Sequence, residues 1–227
     1  MRYLSLAPFA AGPTDHEFLD SILFRATHEL ASELSDSPVE IAENFVRGGS
    51  NSAKGGSRPD RLERAFGSAL SSGAINVLFV HADGDGDEPS ARSERFAPCA
   101  AKALSLVRDA NLACVPVIPN RMTEAWALAD TSALISALDT RKTAEQLNIM
   151  LSASAVEALT DPKEVLAQAR ANAVGLRKRR IPQRETRIPA NLAPRIDLRE
   201  LRRLAAYRRF ESDLATALRA LWNLQTT

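Results

Sequence analysis

The chain has 227 residues, 45% of them hydrophobic and 25% charged, with a formal net charge of +1. This is ordinary for a soluble globular protein whose core is large enough to need no disulfide staples. Two cysteines, Cys99 and Cys114, with no other Cys or His nearby, exclude a zinc site and a secreted disulfide scaffold and point to a reducing cytoplasm, and no apolar run approaches the roughly 18 residues of a membrane-spanning helix.

The opening MRYLSLAPFAAG is too short in its apolar part, and too soon followed by a helix start, for a signal peptide, so Tyr3 to Phe9 reads as the first strand. After a Gly12-Pro13 turn, Thr14 with Glu17 three residues on has the capping-box pattern. Phe18, Ile22, Leu23, Ala26 and Leu30 then recur at helical spacing to about residue 34. Val39 to Val46 reads as a second strand. Residues 47–59, RGGSNSAKGGSRP, lack the GK[ST] of a Walker loop. They read either as a flexible connection or as a basic loop, with Arg47, Lys54 and Arg58, that folds over a phosphate. Helices are expected over Asp60 to Leu70 and Ser90 to Ala110, on either side of a strand at Val77 to Val80, with a further strand at Leu112 to Ile118. Such β-α alternation predicts an α/β fold, a parallel sheet flanked by helices, over residues 1–130. Residues 131–227 read as a helical, basic C-terminal region packed on it. That region has a helix starting at Asp161-Pro162-Lys163, an irregular stretch over 181–197 with Pro182, Pro189 and Pro194, and a last amphipathic helix from Leu198 to Leu224.

The stretch INVLFVHADGDGDE carries the chemistry. A continuous apolar run bounded by glycine is a fully buried strand, and open α/β sheets bind ligands at the carboxyl ends of their strands. There the chain places Asp83, Asp85, Asp87 and Glu88 within six residues. Their mutual repulsion calls for a cation, and oxygen-only donors suit Mg²⁺ or Mn²⁺. An EF-hand fails, because Glu88 stands where that loop needs glycine and a strand precedes it. His81 reads as a packed histidine or an orienting ligand, Glu124 as a metal-site member or a helix-start charge, Trp126 as core, and Asp130 as a cap.

The Asp83-Gly84-Asp85 element after the third strand resembles the Asp-x-Asp of the Toprim fold. The segments AAGPTDHEFL (10–19), VLFVHADGDG (77–86), VIPNRMTEAWALAD (117–130), LTDPKEVL (159–166) and IDLRELRRLAAYRRFESDL (196–214) resemble an uncharacterised Toprim-like family of bacterial proteins. The resemblance implies a Toprim-like Rossmannoid sheet and a metal-dependent nuclease-type activity on nucleic acid, with Asp83 and Asp85 as metal ligands and catalytic residues; from their own positions in the sequence Asp87 reads as a solvated loop acid or a further metal ligand, and Glu124 as a further metal ligand and catalytic residue. The resemblance also implies an ATPase partner in an anti-phage defence setting, with oligomerisation left open. One position departs from the family: Ala11 stands where a Glu is expected before Gly12. The missing carboxylate could come from Glu124, Asp15 or Glu43, or the chain could be a catalytically degenerate subunit that binds a partner ATPase or nucleic acid.

Residues 177–219 hold 13 Lys/Arg against 5 Asp/Glu, while the rest of the chain is acidic. Arg177, Lys178, Arg179 and Arg180 form an unbroken cationic run, the candidate contact for nucleic-acid phosphates.

Overall fold

The computed structural model describes residues 1–10, 12–43, 55–107, 111–175 and 188–224. Four parallel strands form its sheet: β1 (Arg2–Phe9), β2 (Val39–Glu43), β3 (Val77–His81) and β4 (Ala113–Val117). Their order is β2-β1-β3-β4, with Leu6 beside Val77 and Val77 beside Ala113. The chain therefore leaves β1 toward one edge and returns to its other flank for β3. The carboxyl ends of β1 and β3 thus form the topological switch point where open parallel sheets bind ligands.

Alternation along the strands builds a core on each face. Leu4, Leu6, Val77, Phe79, Val115 and Val117 face α1 (Pro13–Leu34) and the C-terminal helices. Ala7, Phe9, Leu78 and Val80 face α2 (Arg58–Leu70) and the helical stretch after β3. That stretch runs as α3 (Glu88–Ser90), a π-helical segment (Ala91–Phe96) and α4 (Ala97–Leu106). Every residue of β3 is buried, as expected for an uninterrupted apolar run between two helical layers. Beyond β4 come α5 (Glu124–Ala127), α6 (Thr131–Ala137), α7 (Ala144–Leu147), α8 (Ala153–Ala158), α9 (Pro162–Ala173), α10 (Leu198–Leu201) and α11 (Ala205–Leu221). Helix α11 packs on β4 and α1. Among the described residues, no helix is long and apolar enough to cross a membrane.

Several boundaries differ from expectation. Gly12, not Thr14, is the N-cap of α1, and Pro13 occupies the first turn, where its missing N–H costs nothing. Helix α2 starts at Arg58 instead of Asp60, because Ser57 and Asp60 form a reciprocal capping box. Part of the Gly/Ser stretch is thus helix or its cap; residues 47–54, like the expected end of β2 at 44–46, lie outside the described residues. The last helix is two. Leu204 is extended and has no side chain able to cap, and the Glu157 carboxylate of α8 accepts the Ala206 N–H instead, at 2.8 Å.

Asp130 is a cap with a second duty. One carboxylate oxygen accepts the Ala133 N–H at the start of α6, and the other accepts the Asp197 N–H ahead of α10, each at 2.9 Å. Its side chain is buried, so Asp130→Ala leaves two N–H groups without partners. Chemical denaturation should record a loss of about 2–3 kcal/mol. A loss near zero would show that water replaces both bonds.

Candidate functional site

The loop after β3 is built by backbone contact with the loop after β4. The Gly84 N–H donates to the Pro119 carbonyl at 3.1 Å, Asp85 N–H to Arg121 at 3.1 Å and Gly86 N–H to Asn120 at 2.8 Å. A Cβ on Gly84 would lie 2.5 Å from the carbonyl oxygens of both Pro119 and Asn120, so only glycine fits. Gly86 has φ +84°, and Asp85 itself sits in the left-handed region at φ +51°. The alternating glycines of DGDGDE thus serve the close approach of two loops.

The same geometry separates the four acids. Asp87 caps α3, its carboxylate accepting the Ser90 N–H at 3.1 Å and the Ser90 hydroxyl at 2.9 Å. Glu88 pairs with Arg92 at 2.7 Å, and Arg92 also reaches Asp213 of α11 at 2.7 Å. Asp85 pairs with Arg95 at 2.6 Å, and Arg95 donates as well to the Asp83 carbonyl at 2.6 Å. Both arginines project from the π-helical segment, a geometry frequent at functional sites. Asp83 is left as the one acid of the four whose carboxylate has neither an arginine ion pair nor a capping bond. Its closest basic neighbour is the Nε2 of His81, at 3.6 Å.

His81 is buried at the end of β3, and its Nε2 lies 3.1 Å from the Thr123 hydroxyl. Its Nδ1 is buried without a partner. Burial lowers its pKa to about 4, against the pull of Asp15, so the ring is neutral near pH 7. Burial pushes Asp83 the other way, to about 6, reinforced by Asp15 and Asp85 and opposed by Arg58 and Arg95. Burial also raises Glu124, at the start of α5, with Asp15 and Asp83 adding to the shift and Lys163 opposing it. Asp15 in the first turn of α1, Asp83 after β3 and Glu124 after β4 therefore feel one another's charge across the switch point.

Of the four expected metal ligands, Asp83 and Glu124 share this cluster. The carboxylates of Asp85 and Asp87 are held by Arg95 and Ser90. Asp15 is the third acid of the group, and no local pattern singled it out above Glu43. Arg95 and Thr123 were missed, since nothing in their immediate sequence marks them. Ala11 and the Arg177, Lys178, Arg179 and Arg180 run lie outside the described residues, as does the Glu43 side chain.

The donor set is all oxygen, which suits hard cations. Among the described residues, no three His, Cys, Asp or Glu side chains are gathered as a finished metal-ligand group. Mg²⁺ does not require one, because it usually keeps several waters and takes one or two carboxylates. Asp83, Asp15 and Glu124 are the residues that would be offered to such a cation.

The opposed shifts of His81 and Asp83 make a pH prediction. Asp83 binds its proton more tightly when folded, so its share of stability falls as pH rises from its ordinary 3.8 to about 6. His81 is harder to protonate when folded, so its share rises between about 4 and its ordinary 6.5. In the wild type these slopes oppose. Without cation, the stability of Asp83→Asn relative to wild type should grow between about pH 4 and 6, by on the order of 1 kcal/mol after screening at this half-exposed site. Thermal melts in chelator measure it, and a difference flat with pH removes Asp83 as the titrating group.

No family model matches this chain, and no curated protein or solved structure matches it.

Proposed function

We propose that the chain is a Toprim-like, divalent-cation-dependent protein that acts on the phosphodiester bonds of nucleic acid. The observation that carries this reading is the charge on Asp83. At the carboxyl edge of a parallel sheet, its carboxylate is left without an arginine ion pair while it feels the charges of Asp15 and Glu124. Such a cluster is costly in the free protein and is relieved by a cation. Asp83, Glu124 and Asp15 would hold Mg²⁺ or Mn²⁺, and Asp85 would stay under the control of Arg95. The cation, when bound, supplies Lewis-acid polarisation of a phosphoryl oxygen and a more acidic water. The chain's own part is to present the half-exposed Asp83 carboxylate at the strand ends and to keep the buried His81 neutral beside it. A cytoplasmic setting, contact of the Arg177–Arg180 run with nucleic acid, and an ATPase partner in anti-phage defence belong to the same proposal.

The test is calorimetric titration with Mg²⁺ and Mn²⁺, combined with cleavage assays on single- and double-stranded DNA and RNA. Cation binding that Asp83→Asn removes, with loss of cleavage, is the expected result. Cleavage that persists in chelator overturns the reading.

A second reading is favoured by the 2.6 Å Asp85–Arg95 ion pair, which occupies the second acid of the Asp-x-Asp element. On that reading the domain is a catalytically degenerate subunit that binds nucleic acid or a partner ATPase. It predicts nucleic-acid binding without cation-dependent cleavage. Ala11→Glu is then expected to create cleavage where the wild type has none.

A further inference from the structure

Arg58 is the first residue of α2, at the carboxyl edge of the sheet. Its guanidinium spans the switch point. One Nη donates to the carbonyl of His81, the last residue of β3, and the carbon centre of the group lies 5.7 Å from the ring centroid of Phe9, the last residue of β1. Its Nε is buried and has no hydrogen-bond partner. No carboxylate lies within ion-pair distance of it among the described residues, whereas Arg92, Arg95 and Arg202 each hold one at 2.9 Å or less. Burial lowers its pKa and Arg61 adds to that shift, while Cys99, which also shares a side-chain hydrogen bond with the guanidinium, and Asp83 oppose it. A half-buried cation with an unsatisfied N–H and no counter-ion is a costly feature for a structural clasp.

We propose that Arg58 is the anion-binding residue of this crevice: its guanidinium receives the phosphoryl oxygens of the substrate at the ends of β1 and β3, facing the Asp83 carboxylate. The inference rests on the phosphodiester reading above and names how that substrate is held. Two features select phosphate. A guanidinium presents parallel N–H groups that match two phosphoryl oxygens, a match a lysine ammonium cannot reproduce. Arg58 and Asp83 also feel each other's charge, so a phosphodiester lodged between them would meet Arg58 on one flank and a cation held at Asp83 on the other. Of the basic stretch 47–59, Arg58 thus acts from a helix capped by Ser57 and Asp60, whose fixed start holds its backbone in place.

The experiment is a titration of the full chain in chelator with inorganic phosphate and with the dinucleotide thymidylyl-thymidine, following arginine Nε–H signals by NMR. The Arg58 signal is identified by its absence in Arg58→Lys. It should shift on saturation, and Arg58→Lys should bind the dinucleotide at least about tenfold more weakly, since the charge stays while the fork is lost. Asp83→Asn should bind the dinucleotide as tightly as wild type or tighter. An Arg58 signal that neither ligand moves overturns the proposal, and if Arg58→Lys does not fold, wild-type spectra in which neither ligand shifts any arginine Nε–H signal overturn it equally. Equal dinucleotide affinity in wild type and in an Arg58→Lys variant of unchanged melting temperature overturns it too. If phosphate shifts the Arg58 signal while Asp83→Asn leaves cleavage intact, the metal reading fails and the anion site stands. If Asp83→Asn abolishes cleavage while Arg58 is indifferent to phosphate, the reverse holds.

Discussion

Trp126→Ala should lower the unfolding free energy by about 3–5 kcal/mol, the largest stability loss expected from any single substitution considered for this chain. Trp126 is fully buried beneath the site. Its ring meets Tyr207 edge-on, with centroids 5.1 Å apart and planes at 77°, and Phe210 at 5.8 Å. Phe210 in turn meets Phe79 of β3 at 6.1 Å. The four rings join α5, α11 and the sheet, and Glu124 lies two residues upstream of the tryptophan on the same short helix. A cavity here loosens a carboxylate of the candidate site as well as the core. The cluster has a second property that sharpens the test. Trp126 Nε1 and the Tyr207 hydroxyl are both buried without partners. Removing an unsatisfied polar atom recovers part of what its burial costs. Tyr207→Phe should therefore stay within about 1 kcal/mol of wild type, and Trp126→Phe should cost far less than Trp126→Ala. Guanidinium denaturation measures all three. A large loss for Tyr207→Phe would mean that ordered water bridges the hydroxyl, and a loss below about 1 kcal/mol for Trp126→Ala would remove the cluster as the link between α11 and the sheet.

The parts of the fold that were legible are those encoded locally. Val77 to His81 reads as a buried parallel strand because helices cover both its faces and no polar residue interrupts the run. Asp130 and Asp161 read as caps because an Asx cap acts within three residues, and both accept the expected N–H. What was not legible depends on distant partners. The break between α10 and α11 is set by Glu157, 49 residues before the N–H it accepts. The strand order follows from which face each crossover helix covers, and hydrophobic spacing alone does not specify that. Within the candidate site, the burst of acid marks the loop after β3, but four carboxylates in six residues are equivalent on paper. Their roles diverge because the π-helical segment widens a turn and brings Arg92 and Arg95 back toward the loop. Arg95 reaches Asp83 from 12 residues away. Asp15 joins the cluster only because β1 and β3 are neighbours, a fact of topology that no window of sequence contains.

That divergence of roles yields the prediction with the largest functional effect. Asp83→Asn should lower cation-dependent cleavage by about a hundredfold or more, the usual cost of removing one preorganised charge from a reacting centre. Glu124→Gln should follow with a smaller loss. Asp85→Asn should cost less again, because the wild-type carboxylate is already engaged by Arg95. Asp87→Ala should leave cleavage unchanged and cost about 1 kcal/mol of stability, the ordinary value of a lost cap. The order matters more than any single value, since four equivalent ligands would give four similar losses. Cleavage assays at saturating Mn²⁺ and at limiting Mn²⁺ separate weakened cation binding from a damaged centre. An Asp87→Ala variant as impaired as Asp83→Asn would overturn the assignment. Asp83→Asn should also act with opposite sign on two readouts. It relieves the repulsion with Asp15, Asp85 and Glu124, so the cation-free protein should melt higher near pH 7. It removes the carboxylate left without an ion pair, so the rise in melting temperature that Mn²⁺ gives the wild type should disappear. An acid kept for structure alone would lower stability when replaced and leave the response to Mn²⁺ untouched. Stability gained together with cation response lost is the signature of a carboxylate held at a cost for its ligand.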